Sequence, residues 1–292
     1  MHIEWTLIIF TTLIAWSAGL FASQAILAFK GKAKDSQMLS WVISAVLLII
    51  GGIAVFFHLQ HWERIFNGFG HLSSGITQEF IGIVILGIVA LLYLIMMRKS
   101  EDGKSTPKWL CIVAVIVCVA LVCITAHSYM MTARPAWDSL MWLLFMIGNA
   151  CSLGPITLAL IMAIKNDSLN LIGMLALVGS LIGLVGCVAY AIQLQIVPSS
   201  FVNIPYHFDS TNPIKPLVDA AASVAAAMPL IWGVGVLLGG VLPVVMVFLA
   251  KKKGESKNWR IFAGVAVTSA FAGAIALKVC FFQIGFSVVP LF

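Results

Sequence analysis

QMLSWVISAVLLIIGGIAVFFH (37–58), LQHWERIFNGFGHLSSG (59–75) and ITQEFIGIVILGIVALLYLIMM (76–97) decide how this chain folds. The first and third stretches are apolar for roughly 20 residues, the length that crosses the hydrocarbon of a bilayer. The short polar stretch between them predicts two antiparallel neighbours joined by a tight turn. That turn and its flanks collect His58, His61, Glu63, Arg64, His71 and Glu79. A charge at mid-bilayer costs about 2.5 to 3.5 kcal/mol even on lenient scales, so ionisable groups gathered at a membrane boundary point to function.

Working outward, the whole chain has the same character. It is 61% hydrophobic and 10% charged, with a mean hydropathy of +1.07, a composition whose solvent is lipid rather than water. Runs long enough to span occur at 5–29, 37–58, 76–97, 108–130, 138–164, 169–192, 222–250 and 259–282. The expectation is an all-α polytopic membrane protein of about eight transmembrane helices, a single integral membrane domain over 1–292. No stretch between the runs is long enough to bury a core of its own, so a redox or hydrolytic centre of water-soluble type is expected on another polypeptide. Met1, His2, Ile3 and Glu4 lack the basic region of a secretory signal, so the first run is expected to persist as a span.

Lys and Arg divide unevenly between the two sides. Lys30, Lys32, Lys34, Arg98, Lys99, Lys104, Lys108, Lys165, Lys251, Lys252, Lys253, Lys257 and Arg260 fall on one face, and Arg64, Arg134, Lys215 and Lys278 on the other. Thirteen against four places the loops after the first, third, fifth and seventh spans in the cytoplasm and both termini outside. The same loops account for the pI near 9.1, which therefore gives no support to nucleic-acid binding and modest support to contact with anionic lipid. His2, His58, His61, His71, His127 and His207 all map to the outer side. Imidazole titrates near neutrality, so this bias hints at proton chemistry there, although loops also collect polar residues for no special reason.

Most other features have structural explanations. Trp5, Trp41, Trp62, Trp109, Trp137, Trp142 and Trp259 lie near span ends, the pattern of an aromatic belt. Gly179 with Gly183 and Gly235 with Gly239 are small-xxx-small pairs expected to let helices approach closely. Pro229 and Pro243 are expected to bend the seventh span. The six cysteines have no C-x-x-C spacing and read as small apolar residues within helices rather than cluster or zinc ligands. The connection over 193–221, with Pro198, Pro205, Pro213 and Pro216, is long enough to be a contact surface. No internal repeat is obvious, which weakens an inverted-repeat transporter reading.

The second run ends outward at His58, and Glu79 lies roughly 5 Å below the outer start of the third, at ~1.5 Å per residue. An imidazole and a carboxylate at that depth suit a hydroxylated, apolar molecule, one group accepting a hydrogen bond and the other a proton. Quinols fit this description.

The stretch Phe57-His58-Leu59-Gln60-His61-Trp62-Glu63-Arg64-Ile65-Phe66-Asn67, followed by Ser73, Ser74 and Glu79, resembles the corresponding segment of the membrane anchor subunit of the dimethyl sulfoxide reductase family. Glu4-Trp5 with Ile8-Ile9-Phe10-Thr11 is similar to that family's start, and Arg134-Pro135-Ala136-Trp137-Asp138 to its element after the fourth helix. The helix count and length agree along essentially the whole chain. The resemblance implies an integral subunit of a prokaryotic cytoplasmic membrane, without haem or metal, that oxidises menaquinol as bound substrate. It also implies two partners, an iron-sulfur electron-transfer subunit and a molybdopterin catalytic subunit. The family's quinol-site residues carry over onto His58, Arg64, Phe66 and Glu79, with His58 and Glu79 as the proton-handling pair. Thr77-Gln78 stand before Glu79 where the family usually has a basic residue, and no family role transfers to Lys278.

Blander readings stand beside each of these. His58 can be an interfacial histidine, Glu79 a carboxylate favoured by the dipole of its own helix start, and Arg64 a partner of Glu63 or of lipid headgroups. A diheme quinol-oxidising anchor would need histidine pairs on facing helices. His58 and His127 could give at most one such pair. A secondary transporter would use Glu79 for proton coupling, yet spans five to eight offer almost no mid-membrane charge besides Lys278. A purely structural anchor without quinone chemistry is the remaining alternative.

Overall fold

The computed structural model describes residues 3–58, 70–201 and 219–288. Among them there is no strand, and eight segments are long and apolar enough to cross a membrane. The helices are α1 (Trp5–Phe29), α2 (Gln37–Phe56), α3 (Gly75–Lys99), α4 (Lys108–Ser128), α5 (Leu140–Lys165), α6 (Asn170–Ile196), α7 (Ala220–Met228), α8 (Leu242–Lys253) and α9 (Ser256–Gln283). The seventh crossing comprises α7, a π-helical segment Pro229–Val241 and α8.

Burial ranks the spans. α1, α5 and α9 bury 72%, 78% and 72% of their most apolar stretch, against 17% and 28% for the second and third spans. A helix apolar all round belongs either in the core or against lipid, and the three-helix centre is set by close backbone approach. A Cβ at Gly19 would lie 2.0 Å from the Ala150 carbonyl oxygen, and one at Gly154 would lie 2.1 Å from the carbonyl carbon of Gly19. Both glycines are therefore required for α1 to seat against α5.

The expected small-residue pairs act as packing seams. A Cβ at Gly179 would meet the Cys151 carbonyl oxygen at 1.9 Å, and Gly239 faces Gly273 of α9 at backbone contact. The seventh crossing adds a feature that the sequence did not announce. The main chain between Pro229 and Leu242 widens to the i→i+5 pattern, and Gly235 and Gly239 are seated on Leu277 and Gly273. The sixth helix also runs on to Ile196, past the expected end at 192. All six cysteines are free, four of them buried.

The tryptophans split into two groups. Trp5 and Trp109 are exposed by 53% and 55%, as belt residues are, whereas Trp142 and Trp259 are 1% and 2% exposed and belong to the core. Trp142 donates its indole N–H to the Ala126 carbonyl, which satisfies the one polar atom and lets the ring pack inside. Nearness to a span end does not distinguish these two fates.

Polar contacts gather at the two ends of the bundle. At the basic face Lys34 pairs with Asp102 at 2.6 Å, Lys104 pairs with Asp35, Ser36 donates to Asp167 at 2.5 Å, and Arg260 donates to the Ala163 carbonyl at 3.0 Å. Nearby, Gln24 donates to the side-chain oxygen of Gln37, which also accepts from Tyr93, both at 2.9 Å, so α1, α2 and α3 are stitched together. At the opposite face the start of α1, the end of α2 and the end of α9 come together around the 129–139 turn. The positive-inside rule predicts that this is the outer face.

Candidate functional site

Glu79 sits on the second turn of α3, 5% exposed, and its Oε1 accepts a 2.5 Å hydrogen bond from Ser128 Oγ at the end of α4. Gly75 makes this contact possible, since a Cβ there would lie 2.6 Å from the Ser128 Cβ. The carboxylate is thus turned toward α4 rather than toward the amides of its own helix start. His58 lies in the turn that follows α2, its backbone N–H bonded to the Val55 carbonyl. Its Nδ1 is 3.2 Å from Oε2 of Glu4, just before α1, and both side chains are part-exposed.

These pairs face one cavity of about 380 Å³ lined by Glu4, Leu7, Val55, His58, Ile76, Glu79, Ser128, Tyr129, Met131, Arg134, Trp137 and Phe282. That volume falls within the range of small-molecule pockets, and the mixture of apolar wall with a few converging polar groups is what such pockets share. Two other clefts, of about 190 and 200 Å³, have linings that carry no charged side chain. Here two carboxylates, an imidazole, two hydroxyls and a guanidinium border one compartment.

His58 and Glu79 line the same cavity, as their antiparallel placement suggests, but they do not bond to one another. Each is held by a third element: His58 by Glu4 and Glu79 by Ser128. The space is not simply a gap between α2 and α3, because α2 rests mainly on α1 and α3 mainly on α4. Arg64 and Phe66 lie outside the described residues. His127, the partner that a haem reading would need for His58, is exposed on α4 and is not part of the lining. The two histidines are not brought to one pocket.

The rear wall comes from the far end of the chain. Arg134 donates from Nη1 to the Gly285 carbonyl at 2.8 Å, with its guanidinium 4.2 Å from the centre of the Trp137 ring. Trp137 donates to the Phe281 carbonyl at 2.7 Å and lies parallel to the Phe281 ring at 4.7 Å. Gly285 passes close beneath, where a Cβ would meet the Trp137 Nε1 at 2.3 Å. The wall is therefore rigid, aromatic and cation-bearing, suited to a flat ring with oxygen substituents.

Glu4, Ser128, Tyr129, Arg134, Trp137 and Phe282 were not singled out as site residues from the sequence. For Arg134 and Trp137 a signal existed, because both fall in the Arg-Pro-Ala-Trp-Asp element. Ser128 and Phe282 carry none, since they reach the cavity only through tertiary packing.

A family model described as the DMSO reductase anchor subunit (DmsC) matches residues 1–284 of the chain. No curated protein matches it.

Proposed function

The chain belongs to the DMSO reductase anchor subunit family, and from that premise we propose that it is a quinol-oxidising anchor working in a prokaryotic cytoplasmic membrane. It is a multi-pass membrane protein and the family is the membrane anchor of DMSO reductase. In this reading menaquinol enters the cavity, and its electrons pass to an iron-sulfur subunit docked on the outer face and then to a molybdopterin catalytic subunit. No haem or metal of this chain takes part.

The observation that carries the reading is the cavity itself, where His58 and the buried Glu79 border one aromatic-walled space at the outer face. A hydroquinone must lose two protons and two electrons to become the quinone. Glu79 and His58 take the protons as general bases, each oriented by a hydrogen-bonding neighbour. Tyr129, Trp137 and Phe282 offer the ring an apolar, planar slot, and Arg64 and Phe66 are the further quinol-site residues that the family resemblance implies, with Arg64 helping to hold the ligand. Protons and electrons leave on the same side, so oxidation moves little net charge across the membrane.

Replacing Glu79→Gln and His58→Ala in the assembled complex tests the reading. Quinol-dependent reduction of the partner is expected to be lost while assembly and activity with an artificial donor persist. Unchanged quinol oxidation in both variants would overturn it.

A further inference from the structure

Lys278 lies within α9 with no exposed surface, and its Nζ donates to Thr12 Oγ1 of α1 at 2.9 Å. The Thr12 hydroxyl donates in turn to the Ile8 carbonyl at 2.7 Å. Its proton is thereby committed and its lone pair faces the amine. A lysine enclosed in a membrane protein normally has a carboxylate opposite it, because removing an ammonium from water without a counter-charge is costly. Here none is supplied by the helices around it. α1, α5, the π-helical segment, α8 and α9 contain no Asp or Glu. The remaining ionisable groups on those elements are Cys151, Cys280 and, at the opposite end of the bundle, Lys165, Lys251, Lys252, Lys253, Lys257 and Arg260. Tyr129 and Tyr190 pack against Phe281 from the neighbouring elements.

Burial without a counter-charge favours the neutral amine, so Lys278 holds its proton best when an anion comes close. Phe282 follows Lys278 by four residues, so it shares the same face of α9 one turn, about 5.4 Å, nearer the outer end. Phe282 lines the cavity, as does Leu7, five residues before Thr12. The Lys278–Thr12 contact therefore lies about one helical turn inward of the cavity residues Leu7 and Phe282. The charged groups on the cavity side are Glu4, His58, Glu79 and Arg134. Glu4 is paired with His58, Glu79 with the Ser128 hydroxyl, and Arg134 is drawn toward Gly285 and Trp137.

We propose that Lys278, positioned by Thr12, is the counter-charge for an anion in the cavity, so that the site favours a deprotonated ring ligand over a neutral one of the same shape. The inference rests on the quinol reading and deepens it. When the hydroquinone gives its first proton to Glu79 or His58, the species left behind is the hydroquinone mono-anion. That anion then yields two electrons to the partner and its second proton to the cavity bases, leaving the neutral quinone. Lys278 touches none of the reacting atoms and is neither oxidised nor reduced. Its field acts on the anionic stage alone.

Binding to the intact complex of a 2-hydroxy-1,4-naphthoquinone, which is an anion at neutral pH, and of its neutral methyl ether separates the charge effect from packing. The wild type is expected to prefer the anion. Lys278→Met should lower that preference by about tenfold, the order of magnitude that one nearby unit charge contributes at an effective dielectric near 20, while leaving the methyl ether unaffected. Lys278→Arg should keep the preference. Where Lys278→Met does not assemble, Thr12→Val carries the test, since the ammonium loses its acceptor and the preference must weaken. An unchanged preference in the readable variant overturns the proposal. So does loss of the preference in Arg134→Gln with no loss in Lys278→Met. Failure of both probes to bind, or quinol oxidation unchanged in both Glu79→Gln and His58→Ala, would instead bring down the quinol reading itself.

Discussion

Ser128 at the end of α4 gives its hydroxyl proton to Glu79 near the start of α3, over 2.5 Å. Two antiparallel spans are thereby joined at their outer ends through the one buried carboxylate of the cavity wall. The hydroxyl also lies 3.0 Å from the Thr125 carbonyl. The same hydroxyl thus has a main-chain and a carboxylate acceptor within hydrogen-bond distance.

Ser128→Ala is expected to slow quinol-dependent turnover by about tenfold, the value of one hydrogen bond to a charged acceptor, with artificial-donor activity unchanged. Ser128→Thr should retain most of the rate. Equal quinol-dependent rates in wild type and Ser128→Ala would show that the orientation of Glu79 does not depend on this contact.

Backbone contact at the α1–α5 seam predicts sharp intolerance there. Gly19→Val forces a side chain into the Ala150 carbonyl, and the overpacking should cost at least about 1 to 3 kcal/mol in unfolding. Gly87→Ala on α3 meets no atom within 4 Å and should stabilise its helix by up to about 1 kcal/mol. Thermal unfolding of the detergent-purified chain measures both, and the two variants should move in opposite directions.

At the basic face the Lys34 ammonium, with the Lys104 amide and Ser105 hydroxyl, holds the Asp102 carboxyl well below the usual aspartate range. A depressed folded value means that the tie stabilises above the ordinary aspartate range and is lost as acid protonates the folded carboxylate. Asp102 is solvent-exposed, so the effect is small and screened by salt. Asp102→Asn should flatten the acid limb of the melting temperature between about pH 5 and pH 2. An acid limb as steep as in wild type would assign it to other carboxylates.

Charge asymmetry also sets the orientation. A reporter fused after Lys104 should behave as cytoplasmic and one within 200–215 as external. The opposite pattern would invert the bundle and move the cavity to the cytoplasmic side.

The spans were readable because apolar length is a local property, and each of the eight runs became a membrane-length helix. What was not readable depends on contacts between distant segments. Pro229 and Pro243 read locally as bends. The widening of the turns between them, with Gly235 and Gly239 held against Leu277 and Gly273, has no local signature. Trp142 and Trp259 look like interface residues until their neighbours are known. His58 and Glu79 stood out because ionisable groups are rare in such a chain. Lys278 was equally visible but had no role until Thr12, separated from it by 266 positions, appeared as its partner.

The cavity takes Glu4 and Leu7 from the beginning of the first crossing and Phe282 from the end of the eighth, while Arg134 and Trp137 are pinned by Gly285 and Phe281. A nascent chain emerging from the ribosome therefore owns Glu4, His58 and Glu79 long before it owns a closed compartment. Only insertion of α9 completes the enclosure, so a product stalled or clipped before that point can lodge in the membrane without ever presenting a finished binding site.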